Sequence, residues 1–193
     1  MTNLTVVGVS GSPRAGGNTE TLLRHTLGVC AAEGLSTDFI SLRGLRIEPC
    51  RACRTCSRSK VCAVTDDVPA IFDRLAAADA FILAAPVYFS GTAGQMKCLI
   101  DRLGYLSMAR GRVFERKVGG PMAVARRAGQ NFALAEMMFF FLHQGMIVPG
   151  STYWNMAIGL HEGDVSEDAE GLRTAENFAR NLAWTLKKLR AAD

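Results

Sequence analysis

Four cysteines fall within thirteen residues in the stretch CRACRTCSRSKVC, from Cys50 to Cys62. Cys50, Cys53 and Cys56 are each separated by two residues, and Cys62 follows after five more. Such a cluster is a metal site, a redox dithiol or a loop that merely leads into the next helix. Arg43, Arg46, Arg51, Arg54, Arg58 and Lys60 surround it, with only Glu48 opposing them. That is either a solvated basic loop or a field that holds thiolates deprotonated and attracts acidic redox partners. A second stretch with chemistry is SGSPRAGGNT, residues 10–19. It offers two serine hydroxyls, an arginine, three glycines, and Asn18 and Thr19 at the start of a helix. No G-x-G-x-x-G runs through it and no Gly-Lys-Ser/Thr follows, so it is neither a dinucleotide fingerprint nor a P-loop. Hydroxyls and backbone amides at a helix N-terminus suit a monophosphate.

These stretches must be held by elements that alternate in type. Leu4 to Val9 reads as a buried first strand, and a helix capped by Asn18 or Thr19 should run to about Glu33, stopping at Gly34. Ser36 to Leu42 is a second strand, and residues 43–66 form a long cysteine-bearing loop without periodicity. A helix over Asp67 to Ala77 leads to a strand from Ala80 to Ala85 that stops at Pro86. Helix Thr92 to Leu103, strand Val118 to Ala125 and helix Gln130 to Gly145 follow. Met146 to Val148 supplies the fifth strand, and the last helix spans Ser166 to Arg190. The alternation predicts an α/β fold, a flavodoxin-like doubly wound five-stranded parallel sheet in three α/β/α layers, as one domain over 1–193. The net charge of +4 is too mild to argue for nucleic acid. With no basic n-region before the first strand and no long apolar run, the expected location is the cytoplasm, where structural disulfides are rare. Cys30 and Cys98 stand apart within helices and read as small buried hydrophobes.

Three motifs in order carry a resemblance over most of the chain. The first is residues 10–19. The second is APVYFSGTAGQMK from Ala85 to Lys97, followed by Ile100, Asp101 and Arg102. The third is ARRAGQ from Ala125 to Gln130. Together they resemble the NADPH-dependent FMN reductase family of the flavodoxin-like superfamily. The resemblance implies FMN, with Ser10, Ser12, Arg14, Asn18 and Thr19 holding the phosphate. Pro86, Val87, Tyr88, Phe89, Ser90 and Gly91 would line the ring, with Arg126, Arg127, Ala128 and Gly129 opposite.

The cysteine spacing in turn resembles the iron–sulfur flavoproteins, a branch of this superfamily, and implies a [4Fe–4S] cluster on Cys50, Cys53, Cys56 and Cys62. Short spacings let one loop wrap a cubane, and with no second cysteine set the site must be self-contained. A zinc site fits three such close cysteines poorly, and a dithiol leaves two unexplained. FMN and cluster together would connect a one-electron carrier such as ferredoxin to a two-electron acceptor: a quinone, dioxygen or peroxide. The alternatives are a cluster-free NAD(P)H-dependent FMN or quinone reductase, and a flavin-binding redox sensor without turnover. No catalytic base is required, and His25, His143 and His161 read as surface or capping residues. Met137 to Leu142 is apolar around a whole helical circumference, so the helix is either fully buried in the monomer or part of a subunit interface; the interface is the expectation, in a homodimer or homotetramer.

Overall fold

A computed structural model describes residues 4–191; of the single domain expected over 1–193, residues 1–3 and 192–193 lie outside the described residues. Strand β1 (Thr5–Ser10) leads into helix α1 (Asn18–Ala32), then β2 (Ser36–Ser41), the short α2 (Thr55–Ser59) and α3 (Val68–Ala77). Next come β3 (Ala80–Tyr88), the two-residue β4 (Gly91–Thr92), α4 (Gly94–Ala109), β5 (Val118–Ala125) and α5 (Gln130–His143). β6 (Met156–Ile158), α6 (Asp164–Glu167) and α7 (Ala169–Arg190) complete the chain. The sheet runs β2-β1-β3-β5-β6 with every pairing on that path parallel, and β4 turns back antiparallel on β3. With β4 set aside, five parallel strands in that order are the flavodoxin arrangement.

Side chains alternate between the two faces as a strand's period of two requires. Val7 and Val9 of β1 and Phe81, Leu83 and Ala85 of β3 enter a core shared with α3, α4 and α5. Val6, Ala80, Ile82 and Ala84 enter the other, shared with α1 and α7. This is the three-layer sandwich that the alternation of elements predicts.

Four local expectations are corrected. Pro86 does not end β3, which continues to Tyr88 with Pro86 opposite Val124. Ala84 turns its carbonyl to Gly11 N, so two residues on Pro86 presents its missing N–H to the same side, where β1 has already ended at Ser10. The fifth parallel strand is Met156–Ile158, not Met146 to Val148. Ile147 makes one bridge to Val118, and the chain then leaves the sheet at Pro149-Gly150 and returns beside Ala123–Ala125. The last helix starts at Ala169, where Asp168 caps it by accepting from Gly171 N at 2.9 Å. Gly17, not Asn18 or Thr19, caps α1, and it contributes no side-chain bond.

Candidate active site

The strand order reverses between β1 and β3, and the carboxyl ends of those strands open a cleft of about 140 Å³. Of the residues expected to bind the cofactor, Ser12, Arg14, Asn18, Thr19, Pro86, Val87, Tyr88 and Arg126 line this one cleft, with Val124 and Ala125 as its floor from β5. Ser10 lies buried beneath it. Ser10 Oγ accepts from Ser12 N (3.4 Å), and Ser12 Oγ accepts from Arg14 N (3.2 Å), which curls the loop between β1 and α1. Because Gly17 has no side chain, the first amides of α1 have no side-chain acceptor. That leaves a donor set of the kind a phosphate takes. The cleft thus offers hydroxyl and backbone donors for an anionic group beside the apolar side chains of Pro86 and Val87.

Two loops in contact stand at the carboxyl ends of β3 and β5. Phe89 and Ser90 both sit in the left-handed region, at φ 49° and 65°, where non-glycine residues are strained. The hairpin they form is held by Glu136 of α5, whose Oε2 accepts from both Thr92 N and Thr92 Oγ1 at 2.9 Å. Gly129, at φ 91°, closes the contact: a Cβ there would stand 3.1 Å from Ser90 Cα and Val87 Cγ1. Phe89, Ser90, Gly91, Arg127, Ala128 and Gly129, also expected against the ring, are not among the residues that line the cleft.

Asn18 lines the cleft and also holds a neighbouring segment in place. Its Nδ2 donates to His161 O (2.7 Å) and its Oδ1 accepts from Val165 N (3.3 Å). One N–H of Nδ2 and the Oδ1 therefore tie down residues 161–165, leaving the second Nδ2 N–H and the backbone amide for an anion. That segment supplies Gly159 and Leu160 to the cleft, two residues the sequence reading missed. Asp164 folds the segment by accepting from Leu160 N and His161 N, each at 2.8 Å. Those two amides hold its carboxyl below the usual carboxylate range. The tie is consequently complete at neutral pH and is lost only as the solution becomes acid enough to protonate that carboxyl. A Cβ at Gly159 would lie 2.5 Å from Asn18 Nδ2, so a larger residue there would displace that side chain from its tie.

The cysteine loop builds a separate cavity of about 220 Å³, and Cys50, Cys53, Cys56 and Cys62 all lie on its wall. All four are free thiols. Ala52, Arg54 and Lys60 take left-handed backbone (φ 50°, 57° and 64°), which lets the chain double back tightly around the thiols. The six basic side chains are exposed; Arg51 and Arg54 lie at the cavity itself, and Arg46 pairs with Glu48 at 3.3 Å. The field expected to favour thiolates is joined at Cys53 by a nearer cause. Thr55 donates through its hydroxyl and its backbone N–H and lowers the thiol's pKa, Arg51 adding less. Away from the loop, burial pushes the Cys30 thiol up to about 12, and burial also raises the half-buried Cys98. Both are inert by this measure.

Behind the cavity lies Arg102, 1% exposed. One terminal nitrogen donates to Cys62 Sγ and to Val64 O, each at 3.3 Å; the other donates to Glu48 O at 3.2 Å and pairs with the fully buried carboxylate of Asp66. In the sequence Arg102 was only the end of a motif; no local pattern marks an arginine on α4 as buried beneath a loop 40 residues earlier.

Among the described residues no three Cys, His, Asp or Glu side chains converge closely enough to ligate a single metal ion. The thiols surround a space instead. A polynuclear cluster takes one thiolate per iron, so its ligands need not meet at a point, and a cavity walled by four thiols with no carboxylate fits that chemistry.

The chain matches the family described as NADPH-dependent FMN reductase over residues 4–161. It belongs to that family. The matched segment contains the whole cleft, and membership makes the chain a flavin-dependent oxidoreductase. It is 38% identical to an iron–sulfur flavoprotein of Methanocaldococcus jannaschii, over 96% of this chain and 98% of that one. It is 33% identical to an iron–sulfur flavoprotein of Archaeoglobus fulgidus, over 95% of this chain and 98% of that one. Among solved structures, a flavodoxin, WrbA-like protein from Agrobacterium tumefaciens superposes with a TM-score of 0.67 at 16% identity, over 96% of this chain and 99% of that one, a likeness of fold. No helix among the described residues is long and apolar enough to cross a membrane.

Proposed function

We propose that this family member couples a [4Fe–4S] cluster, held by Cys50, Cys53, Cys56 and Cys62, to FMN in the cleft between β1 and β3. Electrons would pass from a one-electron carrier such as a ferredoxin to a two-electron acceptor, a quinone, dioxygen or peroxide. The observation that carries this reading is that all four cysteines, and no acidic side chain, wall one cavity. FMN supplies exchange of one or two electrons at its ring and the cluster exchange of one at a time. The chain's own residues do the rest. Ser12, Arg14, Thr19 and the amides opening α1 bind the phosphate. Pro86, Val87 and Tyr88, with Arg126, position the ring and limit its contact with water. The basic rim from Arg43 to Lys60 steers an acidic carrier toward the thiols.

The test is iron and acid-labile sulfide per FMN on protein purified without oxygen. About four of each per flavin is expected. Flavin with neither element would instead support a cluster-free NAD(P)H-dependent reductase.

Association into a homodimer or homotetramer belongs to the same proposal. On α5, Met137, Phe140 and Phe141 turn into the core, whereas Phe132, Phe139 and Leu142 are exposed. That leaves one outward apolar stripe where the sequence reading had a whole circumference. Sedimentation equilibrium is expected to show a mass of two or four chains, and a stable monomer would remove the proposal.

A further inference from the structure

Arg102 is spent on nothing that the flavin cleft needs, yet it is among the most deeply buried side chains of the described residues. Its partners are distributed in a telling way. Glu48 O lies just before Cys50, Val64 O just after Cys62, and Cys62 Sγ within the cavity itself. Asp66, which anchors the guanidinium, also accepts from Glu48 N at 2.8 Å and from Val68 N at 3.2 Å. One cation and one anion thus join the two ends of the cysteine loop and tie both to α4.

A solvated loop gains little from a buried ion pair, since desolvating two charges costs about as much as their attraction returns. The best-attested use of such a pair is to fix one geometry. The geometry here is that of Cys62, the thiol set apart from the evenly spaced triplet, which has five residues of slack before it. The fork of the guanidinium also leaves one charged N–H aimed at a sulfur atom.

We infer that Arg102 is the positioning residue of the cysteine cavity: it fixes Cys62 against the other three thiols and gives that ligand alone a charged hydrogen bond. The inference rests on the cluster reading. Two consequences follow. Partners that orient a metal's ligands are worth about 10–100-fold in metal retention. A cationic donor at a ligand sulfur also favours the more negative, reduced state of the group, so its removal lowers the reduction potential.

The experiment compares the anaerobic holoprotein with Arg102→Lys and with the double variant Asp66→Asn/Arg102→Gln. The lysine keeps the charge but cannot bridge four acceptors. The double variant removes both charges together and leaves no unpaired buried ion. FMN content and thermal melting establish folding. Iron release to a ferrous chelator, the potential of the iron–sulfur centre followed by EPR, and amide exchange over 46–68 are then read. Both variants are expected to release iron about tenfold faster or more, with a lower potential in the double variant and a smaller shift in the lysine variant. A potential in the double variant equal to that of the wild type overturns the inference, whatever the release rate. If the double variant does not fold, the same comparison of potential and release is decided on Arg102→Lys. Should the wild-type chain itself hold no iron, the cluster reading is what has failed. Exchange then decides on Arg102: faster exchange at the Glu48 and Val68 amides in Arg102→Lys upholds the strut, and unchanged exchange overturns it.

Discussion

Cys56→Ser is expected to bind FMN as the wild-type chain does while retaining less than about a tenth of its iron, because losing a ligand costs more than losing a ligand's partner, itself worth about 10–100-fold. The two sites can be separated because the cysteine cavity and the flavin cleft share no lining residue. Cys56 lies on α2, half-buried and packed against the core under α3, α4 and α5, and serine is close to it in size, so the fold survives the exchange. The kinetic consequence is a split. Reduction of the flavin by a one-electron carrier is lost, whereas any direct reduction by NAD(P)H is unchanged. Iron analysis, flavin absorbance and the two donor assays on the same preparation check this. Iron unchanged by the substitution would remove Cys56 from the ligand set. Loss of flavin along with iron would show that the two sites are not independent.

The second large effect is on stability. Gly119 of β5 stands opposite Phe81 in the central parallel pair, and a Cβ there would lie 2.2 Å from Phe81 O and 3.0 Å from a ring carbon of Phe141. A backbone carbonyl inside a sheet cannot swing aside as a side chain can. Gly119→Ala should therefore cost about 3 kcal/mol or more, at the upper end of overpacking, and lower Tm by roughly 6–12 °C for a chain of this size. The control is Gly28→Ala in the exposed middle of α1, where an added Cβ meets nothing within 4 Å. Alanine is the better helix former, so that variant should gain about 0.5–1 kcal/mol. Thermal or urea unfolding of both variants checks the pair. A neutral Gly119→Ala would mean that β3 and β5 can separate freely. Their carboxyl ends carry Pro86 to Tyr88 and Val124 to Ala125, so FMN affinity should fall together with Tm.

The fold and most of the cleft were legible because they rest on short-range rules. Strand period, helix stops and the Gly- and Ser-rich turn after β1 are each written within a few residues. β5 from Val118 to Ala125 was read with its bounds as found, and the loop from Ser12 to Thr19 falls where the reversal of strand order puts it. The fifth strand was misplaced for a related reason. Met146 to Val148 and Met156 to Ile158 are both short apolar runs, and which of them completes the sheet depends on where Pro149 turns the chain, a choice settled by space beside Ala123 to Ala125.

What the sequence alone determined, then, is the chemistry available: four closely spaced thiols, a phosphate-suited turn and an aromatic segment, each local and each set by residue type and spacing. What only the tertiary structure decided is which groups meet across the chain. Asn18 reaches 143 residues onward to His161 O, Thr92 is held by Glu136, and Arg102 reaches back beneath the cysteine loop to Cys62 and Asp66. Long-range pairs of this kind leave no periodicity, because burial sets them once the layers have packed and a polar group shut away from water must find a partner wherever the chain has brought one.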